Sequence, residues 1–317
     1  MIITVALNPA VDQTVEVDRL ARADTNRVLS MRFDIGGKGI NVARALKAIG
    51  YEALAVGFAP GIQGRQIVDQ LEDSGIGCDF VDVPGEVRTN ITILDRANHV
   101  DTQLALPGPT LAPESVAQLV DRVRQRIRAG GWLVLAGSIP PPGDPSIYID
   151  MINMATERYC QTVLDADGPV IEAVLSAGAR PTLLKLNSHQ LARFSHMTIE
   201  SVDDAIIAAR RLQERGIPNV VVTLGPEGAI AVTPEGEFRV QPSRVLVVSA
   251  VGAGDAFLSG LIGGLVRHGT WAEALTLASA AAAATCMAPG TQLCEHAGIE
   301  QLLPKQHVDR LVPAGAH

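Results

Sequence analysis

WLVLAGSIPPPGDPSIYIDMINMATERYCQTVLDADGPVIEAVLSAGARPTLLKLN, residues 132–187, holds three short apolar runs separated by two longer segments of helical period. The runs Trp132–Ala136, Thr162–Ala166 and Thr182–Leu186 read as strands, and Pro145–Arg158 and Val170–Ala177 as helices. Strands that stay apolar along their length and alternate with helices belong to a mostly parallel sheet covered on both faces. The same rhythm extends outward. Further strands are predicted at Ile2–Leu7, Ala53–Phe58, Val220–Leu224 and Ala229–Val232, and further helices at Ile40–Ile49, Gln63–Ser74, Pro113–Ala129, Val202–Arg215, Ala253–Val266 and Trp271–Met287.

Two regions break the rhythm. Val11–Asp34 and Val87–Leu106 alternate apolar and polar residues, as in TVEVDRL and NITILDR, with no helix between. They predict a small antiparallel sheet outside the main one. An apolar face on such a sheet needs cover from a lid contact or a second subunit.

Composition narrows the function classes. Of the 317 residues, 47% are hydrophobic and 19% charged, enough apolar material for a full core. The formal charge of −8 works against general attraction to nucleic acid or an anionic membrane, so an anionic substrate would need a local basic pocket. Cys78, Cys160, Cys286 and Cys294 form no CxxC pair and no zinc-ligand spacing, which fits reduced thiols in a cytoplasmic protein. The N-terminus lacks the basic region and cleavage site of a secretory signal. The Ala-rich stretch Trp271–Ala288 carries Glu273 and reads as a buried helix rather than a membrane span.

Chemistry concentrates at two glycine turns. In Val247-Val248-Ser249-Ala250-Val251-Gly252-Ala253-Gly254-Asp255 a β-rich run ends in a turn that opens an apolar helix. Unpaired N–H groups at a helix start can hold a phosphate, and Gly252 and Gly254 allow close backbone approach. Asp255 either takes the proton of a hydroxyl nucleophile or caps the helix and complements its dipole; the turn alone supports both. The second turn, Ile35-Gly36-Gly37-Lys38-Gly39-Ile40-Asn41, is neither a Walker loop, since Gly39 follows Lys38, nor a dinucleotide loop, since Val42 stands where a third glycine is needed. It suits sugar hydroxyls or a sugar phosphate, or is a tight turn with a solvated lysine. Asp165 and Asp167 follow a strand and either border the cleft or cap the loop. His189 and His196 have no metal-ligand spacing and read as solvated.

Together, GGKGINVARAL and VGAGDAFLSGL resemble the two glycine motifs of the ribokinase-like phosphofructokinase B family of carbohydrate kinases. Asn8-Pro9-Ala10-Val11-Asp12, Asn26-Arg27-Val28, Arg88-Thr89-Asn90, Pro107-Gly108-Pro109, Gly137-Ser138-Ile139-Pro140-Pro141 and Thr223-Leu224-Gly225-Pro226-Glu227-Gly228 follow in the family's order along nearly the whole chain. The resemblance implies a ribokinase-like three-layer α/β sandwich spanning residues 1–317, with a mostly parallel central sheet and a small antiparallel β lid inserted at about 11–34 and 87–106. It implies transfer of a phosphoryl group from ATP to a phosphorylated ketohexose. Asp255 would be the base and Gly252, Ala253 and Gly254 the anion hole. Asp12, Gly37, Lys38, Asn41, Arg88 and Ser138 would face the sugar, with the Arg88 guanidinium on its phosphate. Lys185, Asn187, Thr223 and Gly225 would line the nucleotide site, with Asn187 and Gln190 acting indirectly on Mg²⁺. A homodimer through the lid would complete the assembly.

Three positions depart from the family's pattern. Gln190 stands where the family carries a glutamate that organises Mg²⁺ through water, and a neutral oxygen holds a hard dication less tightly. Thr25 replaces a substrate-binding lysine of the minor 6-phosphofructokinases, and Ala105 an asparagine of the fructose-1-phosphate branch. Fructose 1-phosphate and fructose 6-phosphate both stay open as substrates, with tagatose 6-phosphate or another sugar or nucleoside beside them. A non-catalytic sensor descended from a kinase is the rival of a different class; the intact Gly-Ala-Gly-Asp turn argues against it.

Overall fold

The computed structural model describes residues 1–98, 100–267 and 269–311. In chain order the elements are β1 (Ile2–Ala6), β2 (Ala10–Val17), β3 (Val28–Gly36), α1 (Lys38–Ala48), β4 (Ala53–Pro60), α2 (Gly61–Asp73), β5 (Gly77–Val83), β6 (Arg88–Asp95), β7 (Val100–Leu104), α3 (Pro113–Arg126) and β8 (Trp132–Ala136). There follow α4 (Ser146–Glu157), β9 (Gln161–Asp165), α5 (Gly168–Ser176), β10 (Leu183–Asn187), α6 (Ser188–Ser195), α7 (Val202–Glu214), β11 (Asn219–Thr223), β12 (Ala229–Thr233) and β13 (Gly236–Gln241). The series closes with α8 (Ala253–Arg267), α9 (Trp271–Cys286), α10 (His296–Leu302) and β14 (His307–Leu311).

Ten strands form the main sheet in the order β14-β13-β12-β11-β10-β9-β8-β1-β4-β5. From β5 to β11 every pairing is parallel, and β11 to β14 are antiparallel. Alternation along each strand feeds two cores. Ile3, Val5, Leu133 and Leu135 pack with α3 to α7, whereas Ile2, Ala6, Val134 and Ala136 face α1, α2, α8 and α9. These are the three layers that the strand–helix rhythm predicts. Helix α9 lies in the interior against α8, and a Cβ on Gly264 or Gly260 would collide with the α9 backbone at Ala274 or Ala278. Among the described residues no helix is long and apolar enough to cross a membrane.

A second sheet of four strands, ordered β3-β2-β6-β7, covers the carboxyl edge region where β1 leads into β2. Its two hairpins are antiparallel, as alternation indicated, but they meet along a parallel seam in which Ala10 pairs with Arg88 and Asp12 with Asn90. Pattern reports each strand's faces, not the direction of its neighbour, so the seam was not legible.

Other differences have local causes. Strand β5 (GCDFVDV) carries two aspartates and lacks a clean alternation, and β13, β14, α6 and α10 are short. The Val247–Val251 run read as strand-like joins neither sheet. The Val248 and Ser249 amides donate instead to the Cys286 carbonyl at the end of α9, and Leu246, Val247 and Val248 lie exposed.

Candidate active site

The chain passes from β1 to β4 and β5 on one side and later returns through β8 to β11 on the other, so the strand order reverses between β1 and β8. Ligands of open α/β sheets bind at such a reversal, beyond the carboxyl ends of the strands. A cavity of about 200 Å³ opens there, lined by Ala6 and Asn8 at and after the end of β1, Gly37, Lys38 and Gly39 at the start of α1, Ala136, Gly137 and Ser138 at and after the end of β8, Ala166 and Asp167 after β9, Arg88 at the start of β6 and Ala105 just beyond β7.

The two glycine turns come together beside it. Gly252 takes a φ of 80°, a conformation that disfavours a side chain, and turns the chain into α8. Among the described residues the Gly252 and Gly254 amides find no acceptor, whereas the Ala253 amide donates to Ala250 O at 3.3 Å and the Asp255 amide to Gly252 O. Of the three amides expected to hold an anion, those of Gly252 and Gly254 are therefore free among the described residues, and that of Ala253 is bonded within the turn. The Asp255 side chain is buried, and Asn41 Nδ2, from the other turn, donates to its Oδ2 at 2.9 Å. Burial pushes the Asp255 carboxyl above its ordinary range; Lys38 opposes that, Asp165 adds to it, and Lys185 and the Asn41 hydrogen bond oppose it again.

At the start of the second sheet Asn90 Nδ2 donates to Asp12 Oδ1 at 2.8 Å, and the Asp12 carboxylate fills the space a Cβ on Gly36 would take. Burial raises the Asp12 carboxyl above its ordinary value against the pull of Asn90 and Arg88. Asn8 Nδ2 donates to Ser138 Oγ at 3.0 Å. Arg88 Nη1 donates to Leu106 O, and its buried Nε has no partner. Asn8 Oδ1, Asn41 Oδ1 and Asn90 Oδ1 are likewise buried and unpartnered. Unpaired polar atoms are costly inside a protein, and two of these residues, Asn8 and Arg88, line the cavity, where a polar ligand could satisfy them.

Lys38, expected either to face a sugar or to be a solvated lysine, lines the cavity and is ion-paired. Its Nζ donates to Asp165 Oδ1 at 2.5 Å, while Lys185 Nζ donates to Asp165 Oδ2 at 2.8 Å. Burial works against the ionisation of Asp165, but Lys185 and Lys38 outweigh it and hold the carboxyl down at about 2. Asp165, undecided between cleft and cap in the sequence, is thus an ion-pair centre; only its spatial partners reveal this. Farther along the strand ends, Asn187 and Thr223 are register partners on β10 and β11, and Gly225 follows with a φ of 60°. Thr223 Oγ1 donates to Leu186 O at 3.4 Å. Asn187 and Gln190 form a capping box at the start of α6: Gln190 N donates to Asn187 Oδ1 and Asn187 N to Gln190 Oε1, while Gln190 Nε2 donates to Ala166 O. His189 and His196 join no ligand cluster, and no group of three or more acidic, His or Cys side chains suited to a metal occurs among the described residues.

The pfkB family carbohydrate kinase model matches residues 5–297. The chain belongs to the pfkB family of carbohydrate kinases. This kinase is 31% identical over 312 residues to the 1-phosphofructokinase of Bacillus subtilis strain 168, covering 98% of this chain and all of the relative. It is 30% identical over 281 residues to a tagatose-6-phosphate kinase of Staphylococcus epidermidis, covering 88% of this chain and 90% of that protein. Among solved structures, phosphofructokinase-2 of Escherichia coli in complex with fructose-6-phosphate superposes with a TM-score of 0.86 at 28% identity, over 96% of this kinase and 98% of that chain.

Proposed function

We propose that this kinase transfers the γ-phosphoryl group of ATP to a free hydroxyl of a phosphorylated ketohexose, fructose 1-phosphate or fructose 6-phosphate, to give the bisphosphate and ADP. The observation that carries this reading is the junction of Asp255 with Asn41. A buried carboxylate at the start of α8 is joined to the turn that opens the sugar-side cavity, and the free Gly252 and Gly254 amides stand beside it. Asp255 takes the hydroxyl proton as the oxygen attacks the γ-phosphorus; the bond from that phosphorus to the β,γ-bridging oxygen breaks, and ADP leaves with its electron pair. The glycine amides stabilise the charge on the transferring group.

The relatives named for fructose 1-phosphate and tagatose 6-phosphate, and the neighbour holding fructose-6-phosphate, support a substrate that already carries phosphate. Arg88 is the residue assigned to that phosphate, because its Nε is buried without a partner at the cavity. Asp12, Asn41, Gly37 and Ser138 face the sugar. Lys185, Asn187, Thr223 and Gly225 lie on the nucleotide side.

Asn187 and Gln190 do not fit a protein-held Mg²⁺: the oxygens they would offer already accept backbone amides, and Gln190 carries no charge. A magnesium ion would arrive on the phosphates of the nucleotide. We place the reaction in the cytoplasm, where ATP is abundant and the free cysteines stay reduced. Leu29, Met31 and Phe33 share one face of β3 and are more than half exposed, which supports pairing of two protomers through the second sheet.

The test is an ADP-release assay over fructose 1-phosphate, fructose 6-phosphate, tagatose 6-phosphate and the free sugars. Turnover confined to phosphorylated ketohexoses is expected, and turnover confined to free sugars would sink the reading. Asp255→Asn is expected to lower kcat by roughly 10²-fold or more.

A further inference from the structure

Asp165 closes β9 with a side chain that is 0% exposed, and it spends its two oxygens on different ammonium groups. Lys38 comes from the turn that lines the sugar-side cavity and keeps 35% of its side chain exposed. Lys185 is 4% exposed, and its Nζ lies 3.0 Å from where a Cβ on Gly254 would stand, so it borders the anion-binding turn. The Asp165 carbonyl is itself fixed by the Gly137 amide at 2.9 Å. One buried carboxylate thereby ties a cation of the sugar half to a cation of the nucleotide half.

A buried ion pair gives little stability beyond what apolar packing would give, so stability does not account for two lysines gathered at the reacting end of the sheet. Their ammonium groups do account for it. Phosphoryl transfer gathers negative charge, and cations held in place before the reaction stabilise that charge without reorganising. Lysine ammonium groups sit on long flexible stems and need an external partner to stay in one place. With both carboxylates ionised, Lys38, Lys185, Asp165 and Asp255 sum to zero, so what this cluster offers a phosphoryl group is the fixed position of its ammonium groups and not a net charge.

We propose that Asp165 is a positioning residue for phosphoryl transfer: through its two oxygens it fixes the Lys38 and Lys185 ammonium groups at the transfer point, where they face the charge that develops on the transferring group. The inference rests on the kinase reading and deepens it.

The test compares Asp165→Asn, Lys38→Met and Lys38→Arg with the wild type, with circular dichroism and melting to establish folding. Asp165→Asn is expected to lower kcat by roughly 10²-fold, the scale of losing one preorganised charge donor, while KM for ATP and for the sugar phosphate moves by less than about threefold. Lys38→Met is expected to fall similarly and Lys38→Arg to recover at least about tenfold over it, since a guanidinium keeps the charge.

The pH profile supplies a readout that a merely structural role would not move. The groups that face Asp255 are Lys38 and Asn41 on α1, Asp165 on β9 and Lys185 on β10. Loss of the Lys38 cation moves the acid limb of kcat/KM upward, and loss of the Asp165 anion moves it downward. Limbs that move in the same direction, or Asp165→Asn turnover within about threefold of wild type, would overturn the proposal. Should Asp165→Asn fail to fold, near-normal turnover of Lys38→Met overturns it equally. A wild-type protein that releases no ADP overturns the kinase reading and the positioning with it; wild-type turnover beside an equally active Asp165→Asn variant overturns the positioning alone.

Discussion

The Asn41–Asp255 hydrogen bond helps to set when the carboxylate proposed as the base is ionised. Asp255 is already above its ordinary range because it is buried, and Asn41 is one of the groups holding it down. Truncating Asn41 to Ala removes one of the groups that hold the Asp255 carboxyl down, so the carboxyl rises further above its ordinary range. In the proposed role Asp255 would accept a proton only when ionised. The acid limb of kcat/KM in Asn41→Ala is therefore expected to lie higher in pH than in wild type, and an unmoved limb in a pH–rate series would separate Asn41 from the base. Both residues were legible in the sequence because each sits at a fixed place in a glycine turn. Asp165 was not, since its meaning depends on two lysines 127 and 20 residues away that only the fold brings to it.

At the scale of elements, the Lys38–Asp165–Lys185 bridge joins the start of α1 to the ends of β9 and β10. Replacing Asp165 with Asn strands two ammonium groups, one of them buried, and is expected to cost about 3–5 kcal/mol of stability at neutral pH in denaturant unfolding. The sign with pH follows from linkage. The folded carboxyl is held down at about 2, so its contribution is present above the unfolded carboxyl's range near 4 and is lost as pH falls toward 2. The wild type should lose its stability advantage over Asp165→Asn across that acid window. Helices α8 and α9 depend on a different device, the missing side chains of Gly260 and Gly264. Gly264→Val is expected to destabilise by about 1–3 kcal/mol through overpacking against Ala274, read as a lowered Tm. The long apolar strands and the periodic helices could be read directly because burial imposes their pattern. The Val247–Val251 run could not: its β-branched residues follow the strand propensity, but its Val248 and Ser249 amides are taken by the end of α9.

For the whole molecule, the exposed face of β3 sets the expected assembly. Met31 and Phe33 are each 57% exposed on the edge strand of the second sheet. Double substitution Met31→Glu, Phe33→Glu is expected to leave a folded monomer where the wild type sediments as a dimer; a wild-type monomer in sedimentation velocity would remove the lid interface. The layered core was legible from the strand–helix rhythm. The second sheet was legible as strands, but its parallel seam depends on two segments about 78 residues apart.

That seam makes the second sheet a lever. Strands β2 and β6 both begin at the cavity, with Ala10 beside Arg88, and run together for eight residues to Val17 and Asp95. At about 3.3 Å per residue the arm is about 25 Å long. Rotation about the cavity end by roughly 10°, as in hinge closure, shifts Asp12 and Arg88 by only about 1 Å but sweeps the far tip through about 4 Å. Substrate capture, small where it happens, would be amplified at the hairpin tips.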